Sequence, residues 1–209
     1  MTDNTRTHIA VIADRSGSMF SIVDDMNGGL RELLNEQRKN PGKLRVDITT
    51  FDNTVELPYV NAKVKNIKHP IIAPRGGTAL LDAIGKTLVN LDATLKGRKK
   101  SKRPDKVIVL IITDGGENAS VEYTNATVKE LVEKHQADGW EFIFLGANID
   151  AFATAGAWGI SRGSTIAYAA SGEHTQNVVA SASAYLTKTR SGETFDGFTE
   201  ADRLAAGGA

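Results

Sequence analysis

An α/β fold is what this 209-residue sequence predicts: a three-layer, Rossmann-like, doubly wound sheet, mostly parallel with one antiparallel edge strand and helices on both faces. Three observations predict it. Short apolar runs alternate along the whole chain with segments whose apolar residues recur at helical spacing. Two of the runs are apolar without any polar alternation, as central parallel strands covered on both faces are. And strand followed by helix followed by strand implies right-handed crossovers, which build an open sheet rather than a sandwich.

Taken in order, residues 8–13 (HIAVIA) form the first strand. Val23, Met26, Leu30, Leu33 and Leu34 then make one apolar helical stripe. Residues 44–51 (LRVDITTF) form the next strand, and the run 55–60 holds Pro58, which has no amide proton for a ladder and so belongs on an edge. Leu80, Ile84, Leu88, Leu91 and Leu95 line a second helix. Residues 96–106 (KGRKKSKRPDK) are a basic loop without periodicity, and residues 107–112 (VIVLII) belong in the middle of the sheet. Val128, Leu131 and Val132 mark a third helix, with Thr127 and Glu130 at capping-box spacing and Gly139 as its stop. Residues 142–146 (FIFLG) are another strand, Asp150 caps a short Ala-rich helix, residues 165–168 are a weak last strand, and Val178, Val179, Ala182, Tyr185 and Leu186 line a last helix. Beyond Arg190 the chain turns rich in Gly, Ala and polar residues. One domain over residues 1–190 is expected, with a partly flexible extension over 191–209.

Composition narrows the function. Hydrophobic residues at 41% and charged residues at 24% suit an ordinary globular domain. Lys plus Arg equals Asp plus Glu at 25 each, which removes the broad positive field expected of a nucleic-acid binder. The absence of cysteine excludes disulfides, thiolate metal sites and cysteine nucleophiles. The polar start, MTDNTRTH, has no secretory signal, and no apolar run approaches the roughly 20 residues of a membrane span. A cytoplasmic protein is expected, in a host cell or a phage-infected one.

In a doubly wound sheet, ligands bind beyond the carboxyl ends of the strands, so the residues that follow each strand carry the interest. Asp14-Arg15-Ser16-Gly17-Ser18 follows the first strand, Gly76-Gly77-Thr78 precedes the second helix, and Thr113-Asp114-Gly115 follows the long apolar strand. Each has a plain structural explanation, as a helix cap, a glycine turn and an Asp-Gly turn. Together they put three hydroxyls and two carboxylates on one rim, a hard oxygen set that suits Mg²⁺, Mn²⁺ or Ca²⁺.

At these residues the sequence resembles the von Willebrand factor type A family, including integrin inserted domains. The metal-ion-dependent adhesion site (MIDAS) of that family has the pattern Asp-x-Ser-x-Ser, a distant Thr and a distant Asp. Asp14, Ser16, Ser18, Thr78 and Asp114 fill all five positions, and the resemblance in element order runs over residues 7–188. Residues 144–160 (FLGANIDAFATAGAWGI) also look like bacterial and phage members. The resemblance implies that Ser16 and Ser18 ligate the ion directly, Thr78 directly or through water, and that Asp14 and Asp114 orient the shell. It further implies a non-enzymatic adaptor, whose partner is another protein presenting Asp or Glu to the metal, and a last helix, residues 174–188, that shifts with the coordination of Thr78. A separate AAA+ ATPase is a further candidate partner, since no motor segment accompanies the domain; nucleic acid and membrane are not expected.

Two rivals come from other classes. A Mg²⁺-dependent phosphohydrolase of the haloacid dehalogenase type also places an aspartate after its first strand, but it needs a second Asp two residues on as general acid, and Ser16 stands there. A structural subunit of a phage or larger assembly would use the metal only to staple loops. Gly85-Lys86-Thr87 is not a phosphate loop, because the glycine such a loop requires would fall at Leu80. Glu117 and Asn118 either rim the metal site or cap a helix.

Overall fold

The computed structural model describes residues 5–69 and 71–208; Met1 and Ala209, the outer limits of the expected domain and extension, lie outside them. Six strands form one sheet in the order β3-β2-β1-β4-β5-β6, with β1 Arg6–Asp14, β2 Lys43–Phe51, β3 Val55–Ala62, β4 Lys106–Thr113, β5 Glu141–Gly146 and β6 Thr165–Ala167. All pairings are parallel except β2 with β3, so the segment holding Pro58 is the antiparallel edge. β1 and β4 lie at the centre, which explains their unbroken apolar runs. Ile108, Leu110 and Ile112 of β4 enter one core cluster, while Val109 and Ile111 enter the other.

The helices divide between the two faces. α1 Val23–Lys39 and α5 Gly172–Ser191 cover the side of Ile9, Val11 and Ala13. α2 Leu80–Lys96, α3 Asn125–Ala137 and α4 Ala151–Ala157 cover the side of Ala10 and Ile12. Each fully buried Leu of the α2 stripe contributes roughly 1.5–3 kcal/mol relative to exposure, which dwarfs any helix-propensity difference along that segment.

Two local expectations need correction. The cap of α3 is Thr124, not Thr127: the Thr124 side chain accepts from the Thr127 amide, and the Thr127 hydroxyl in turn accepts from the Thr124 amide. The start moves one turn earlier because the Asp82 carboxylate holds the amides of Val121, Glu122 and Tyr123, which aims the chain into the helix at residue 125. The basic stretch after α2 is also less free than its composition suggests. It contains a short 3₁₀ turn, Lys100–Lys102, and Arg103 donates back to the carbonyls of Arg98 and Lys96. Gly139 does end α3, at φ +84°, and the Asp150 carboxylate does cap α4 through the Ala153 amide.

Beyond Arg190 the described chain makes contacts with the rest of the domain. Phe195 meets the Tyr185 ring edge to face and Phe198 meets it at a tilt, and α6 Glu200–Ala206, boxed by Thr199 and Asp202, is followed by Gly207, which bridges Tyr168 past the end of β6. No helix among the described residues is long and apolar enough to cross a membrane.

Candidate metal centre

The register of the central strands sets the site. β1 ends at Asp14 and β4 at Thr113, side by side, so the residues that follow emerge together at the carboxyl rim. Asp14 is fully buried. Its Oδ1 accepts the Ser16 amide at 2.6 Å and its Oδ2 accepts the Thr113 hydroxyl at 2.6 Å. Ser18 donates from Oγ to Asp114 Oδ1 at 2.6 Å, and Ser16 Oγ lies 2.9 Å from Ser18 Oγ.

Thr78 arrives from the loop before α2. Its Oγ1 and the Oγ of Ser18 lie within 3.6 Å of the point where a Cβ on Gly115 would sit, so a glycine there leaves the space between them open. The structure therefore brings all five sequence-predicted residues to one place. Ser18 is exposed at the mouth, whereas Asp14, Ser16, Thr78 and Asp114 are buried beneath it.

Capping and turn formation leave two of these residues unaccounted for. Ser16 stands before the 3₁₀ helix Gly17–Ile22, yet its side chain caps nothing. Asp114 Oδ2 is buried without a hydrogen-bond partner, an expensive state for a carboxylate that serves only a turn. Burial pushes the Asp14 carboxyl up to about 6, against hydrogen bonds from Thr113 and Ser16 that lower it; the nearby Asp114 charge adds to the rise. Burial raises Asp114 as well, although the Ser18 hydrogen bond opposes it. Two carboxylates thus share a desolvated corner, and a nearby cation would relieve both.

Among the described residues, no group of three or more His, Cys, Asp or Glu comes together as a metal cluster. Any ion held here must therefore rely on hydroxyls. Two carboxylates and three hydroxyls are hard, small oxygens, and with one Asp114 oxygen unpartnered they fit Mg²⁺ or Mn²⁺ better than a softer ion.

Residues that the motif did not reveal hold the loops in place. Arg15 donates from Nε to Asp52 and through both terminal nitrogens to Glu56, and Arg75 donates to the same two carboxylates. Burial pushes the Asp52 carboxyl up, but hydrogen bonds from Arg75 and Thr54 and the charge of Arg15 together bring it down to about 2. Backbone bonds tie Gly17 to Gly76, Arg75 to Arg15 and Ala79 to Asp52. Gly76 sits at φ +67°, where a Cβ would fall 2.3 Å from Asn53 Oδ1, so only glycine lets Asn53 reach the Gly77 amide. Asn118 pairs with both the amide and the carbonyl of Thr78, and so positions it. Glu117 instead caps, accepting from Leu81, Ala119 and Ser120. The one sequence signal for this scaffold was a charged Arg15 inside an otherwise small-residue motif.

No family model matches the sequence, and neither does any curated protein. Solved structures do match in shape. The chain is similar to proximal thread matrix protein 1 of the mussel byssus, in a structure with a zinc-occupied MIDAS motif, at 12% identity and a TM-score of 0.62 over 88% of this chain and 46% of that one. It therefore spans just under half of the mussel protein. It is similar to the vWF domain of the type V pili tip protein Mfa5 from Porphyromonas gingivalis, at 9% identity and 0.62 over 94% and 99%. It is similar too to the manganese-loaded TRAP protein of Plasmodium vivax, at 16% identity and 0.56 over 79% and 69%. At such identities the likeness shows the fold, which is that of the von Willebrand factor type A domains.

Proposed function

We propose that this chain, folded as von Willebrand factor type A domains are, is a metal-dependent protein-binding module whose rim site holds Mg²⁺ or Mn²⁺ and receives an Asp or Glu side chain of a partner protein. The observation that carries the reading is the Ser16–Ser18–Asp114 chain of side-chain contacts, ending on a buried Asp114 oxygen without a partner. Ser16, Ser18 and Thr78 supply neutral oxygens, and Asp14 and Asp114 orient them and supply charge. A bound dication with so neutral a shell keeps enough charge to accept one further anionic oxygen.

The surroundings suit a protein partner. Phe20, 77% exposed, follows Ser18 in the 3₁₀ helix, and Val121, 88% exposed, sits on the loop after Asp114. An aromatic beside a charge-accepting site is the usual composition of an interface anchor. Two of the matching structures, one with a zinc-occupied MIDAS motif and one manganese-loaded, support a divalent ion in the same fold.

The test is Asp114→Ala. It removes an orienting charge at the rim and opens no apolar cavity, so thermal unfolding in EDTA should stay close to that of the parent. Mg²⁺ affinity by titration calorimetry should fall about 10- to 100-fold. A pull-down in Mg²⁺ against EDTA, with Phe20→Ala beside it, identifies the partner. Undiminished Mg²⁺ binding by Asp114→Ala would sink the assignment.

A further inference from the structure

We propose that the opposite, amino end of the sheet carries a second site: a basic pocket that binds a phosphate group, free or carried on a small molecule. It is independent of the metal centre, which lies roughly 26 Å away along β1 at about 3.3 Å per residue.

The starting point is a departure from the strand pattern. In a parallel sheet covered on both faces, inward residues should be apolar, and along most of β1 and β4 they are. From the amino end of β1 to the middle of β2 there are exceptions. His8 on β1 and Asp47 on β2 are buried, and Arg45 is registered directly opposite His8. Neither ring nitrogen of His8 makes a hydrogen bond of acceptable geometry, although Nε2 lies 2.9 Å from Asp47 Oδ1. The Asp47 carboxylate is thus the neighbour of Nε2, while Nδ1 is left without a partner in the core.

The neighbouring charges supply a reason. A cavity of about 300 Å³ opens here, and Arg6, Lys43, Arg45, Arg98 and Lys102 line it together with His8. Among the described residues none of these five cations takes part in an ion pair. Arg98 is the telling one: its Nη2 is buried without a hydrogen-bond partner. A guanidinium nitrogen in that state is costly, and a small shift of the side chain into the cavity to meet an anion would relieve the cost. The two nearby carboxylates face protein groups instead. Asp47 accepts the Asn61 amide beside His8, and Asp105 accepts the Arg6 amide.

The site is also built in advance. Arg103 donates to the carbonyls of Arg98 and Lys96, which folds the basic loop back and brings Arg98 and Lys102 over the ends of β1 and β2. Five positive charges around one concavity exceed what a carboxylate can balance, whereas a phosphate dianion offers more charge and acceptors that match the arginine forks. A polymer fits less well. Nucleic acid calls for a basic stripe over a broad surface, and here the cations converge on one small cavity in a chain of zero net charge.

Calorimetric titration of the full chain at low salt tests this with inorganic phosphate, glycerol phosphate and a single-stranded oligonucleotide as probes. One-to-one binding of phosphate or its monoester is expected, weakened about tenfold in Arg98→Ala. Lys102→Ala, at an exposed turn position that cannot unfold the chain, should weaken it too. Asp114→Ala should bind phosphate as the parent does, which separates this site from the metal centre. Tighter binding of the monoester than of phosphate assigns the site to a phosphorylated small molecule, and the reverse order to the free ion. Absence of binding, parent-like affinity in both basic variants, or binding of the oligonucleotide alone overturns the proposal.

Discussion

Asp14 shows how much one residue's environment says about its task. Its folded-state value of about 6 stands above the 3.8 of an exposed aspartate, mainly through burial. The folded chain therefore holds the proton more tightly than the unfolded one, and metal-free stability falls as pH rises from about 4 through about 6, by about 3 kcal/mol at most. Asp14→Asn removes that charge while keeping the shape. In EDTA near neutral pH it should unfold at a higher temperature than the parent, and it should lose the protection that Mg²⁺ gives the parent. If Asn instead lowers the EDTA midpoint, Asp14 is a structural acceptor for Ser16 and Thr113 rather than a charge held for an ion. Thr78 makes a complementary prediction. Its backbone is fixed by Asn118, so Thr78→Ala should leave the loop in place and weaken partner binding more than Mg²⁺ binding in parallel titrations.

At the scale of the element, α3 separates propensity from context. Its apolar stripe of Val128 and Val132 was plain in the sequence, but its first turn was set by contacts from α2. The Thr124–Thr127 box makes Thr124→Ala cost about 1 kcal/mol, read as a lower denaturant midpoint with unchanged slope. Glu130→Ala, at the position that the sequence pairs with Thr127, should cost much less. Equal losses would mean that the helix starts where the sequence pattern puts it.

For the whole molecule, the sheet keeps two chemical ends apart. The carboxyl rim gathers acidic and hydroxyl groups, and the amino end gathers cations, with two dense apolar layers between them. Sites so far apart that share no side chain should not couple. The stability changes of Asp114→Ala and Arg98→Ala should therefore add within about 0.5 kcal/mol in the double variant, measured by denaturant unfolding. A larger interaction would show that the strands transmit strain from one end to the other.

The sequence by itself determined most of the strands and the central or edge place of β1, β4 and β3, because those depend on short-range periodicity, whereas the five rim residues were named by their places after strands together with a family resemblance. The unbroken apolar runs of β1 and β4 could belong only to covered strands, and Pro58 only to an edge. Tertiary structure alone decided the rest. Arg15, Asp52 and Arg75 meet across 60 positions of chain, Asn118 reaches Thr78 across 40, and Arg98 faces His8 across 90, and no local pattern encodes such encounters. Whether a hydroxyl caps a helix or waits for an ion depends on where its lone pairs point once both strands are in register. That Ser16 caps no helix, and that Asp114 keeps one oxygen without a hydrogen-bond partner, are facts of the folded chain alone.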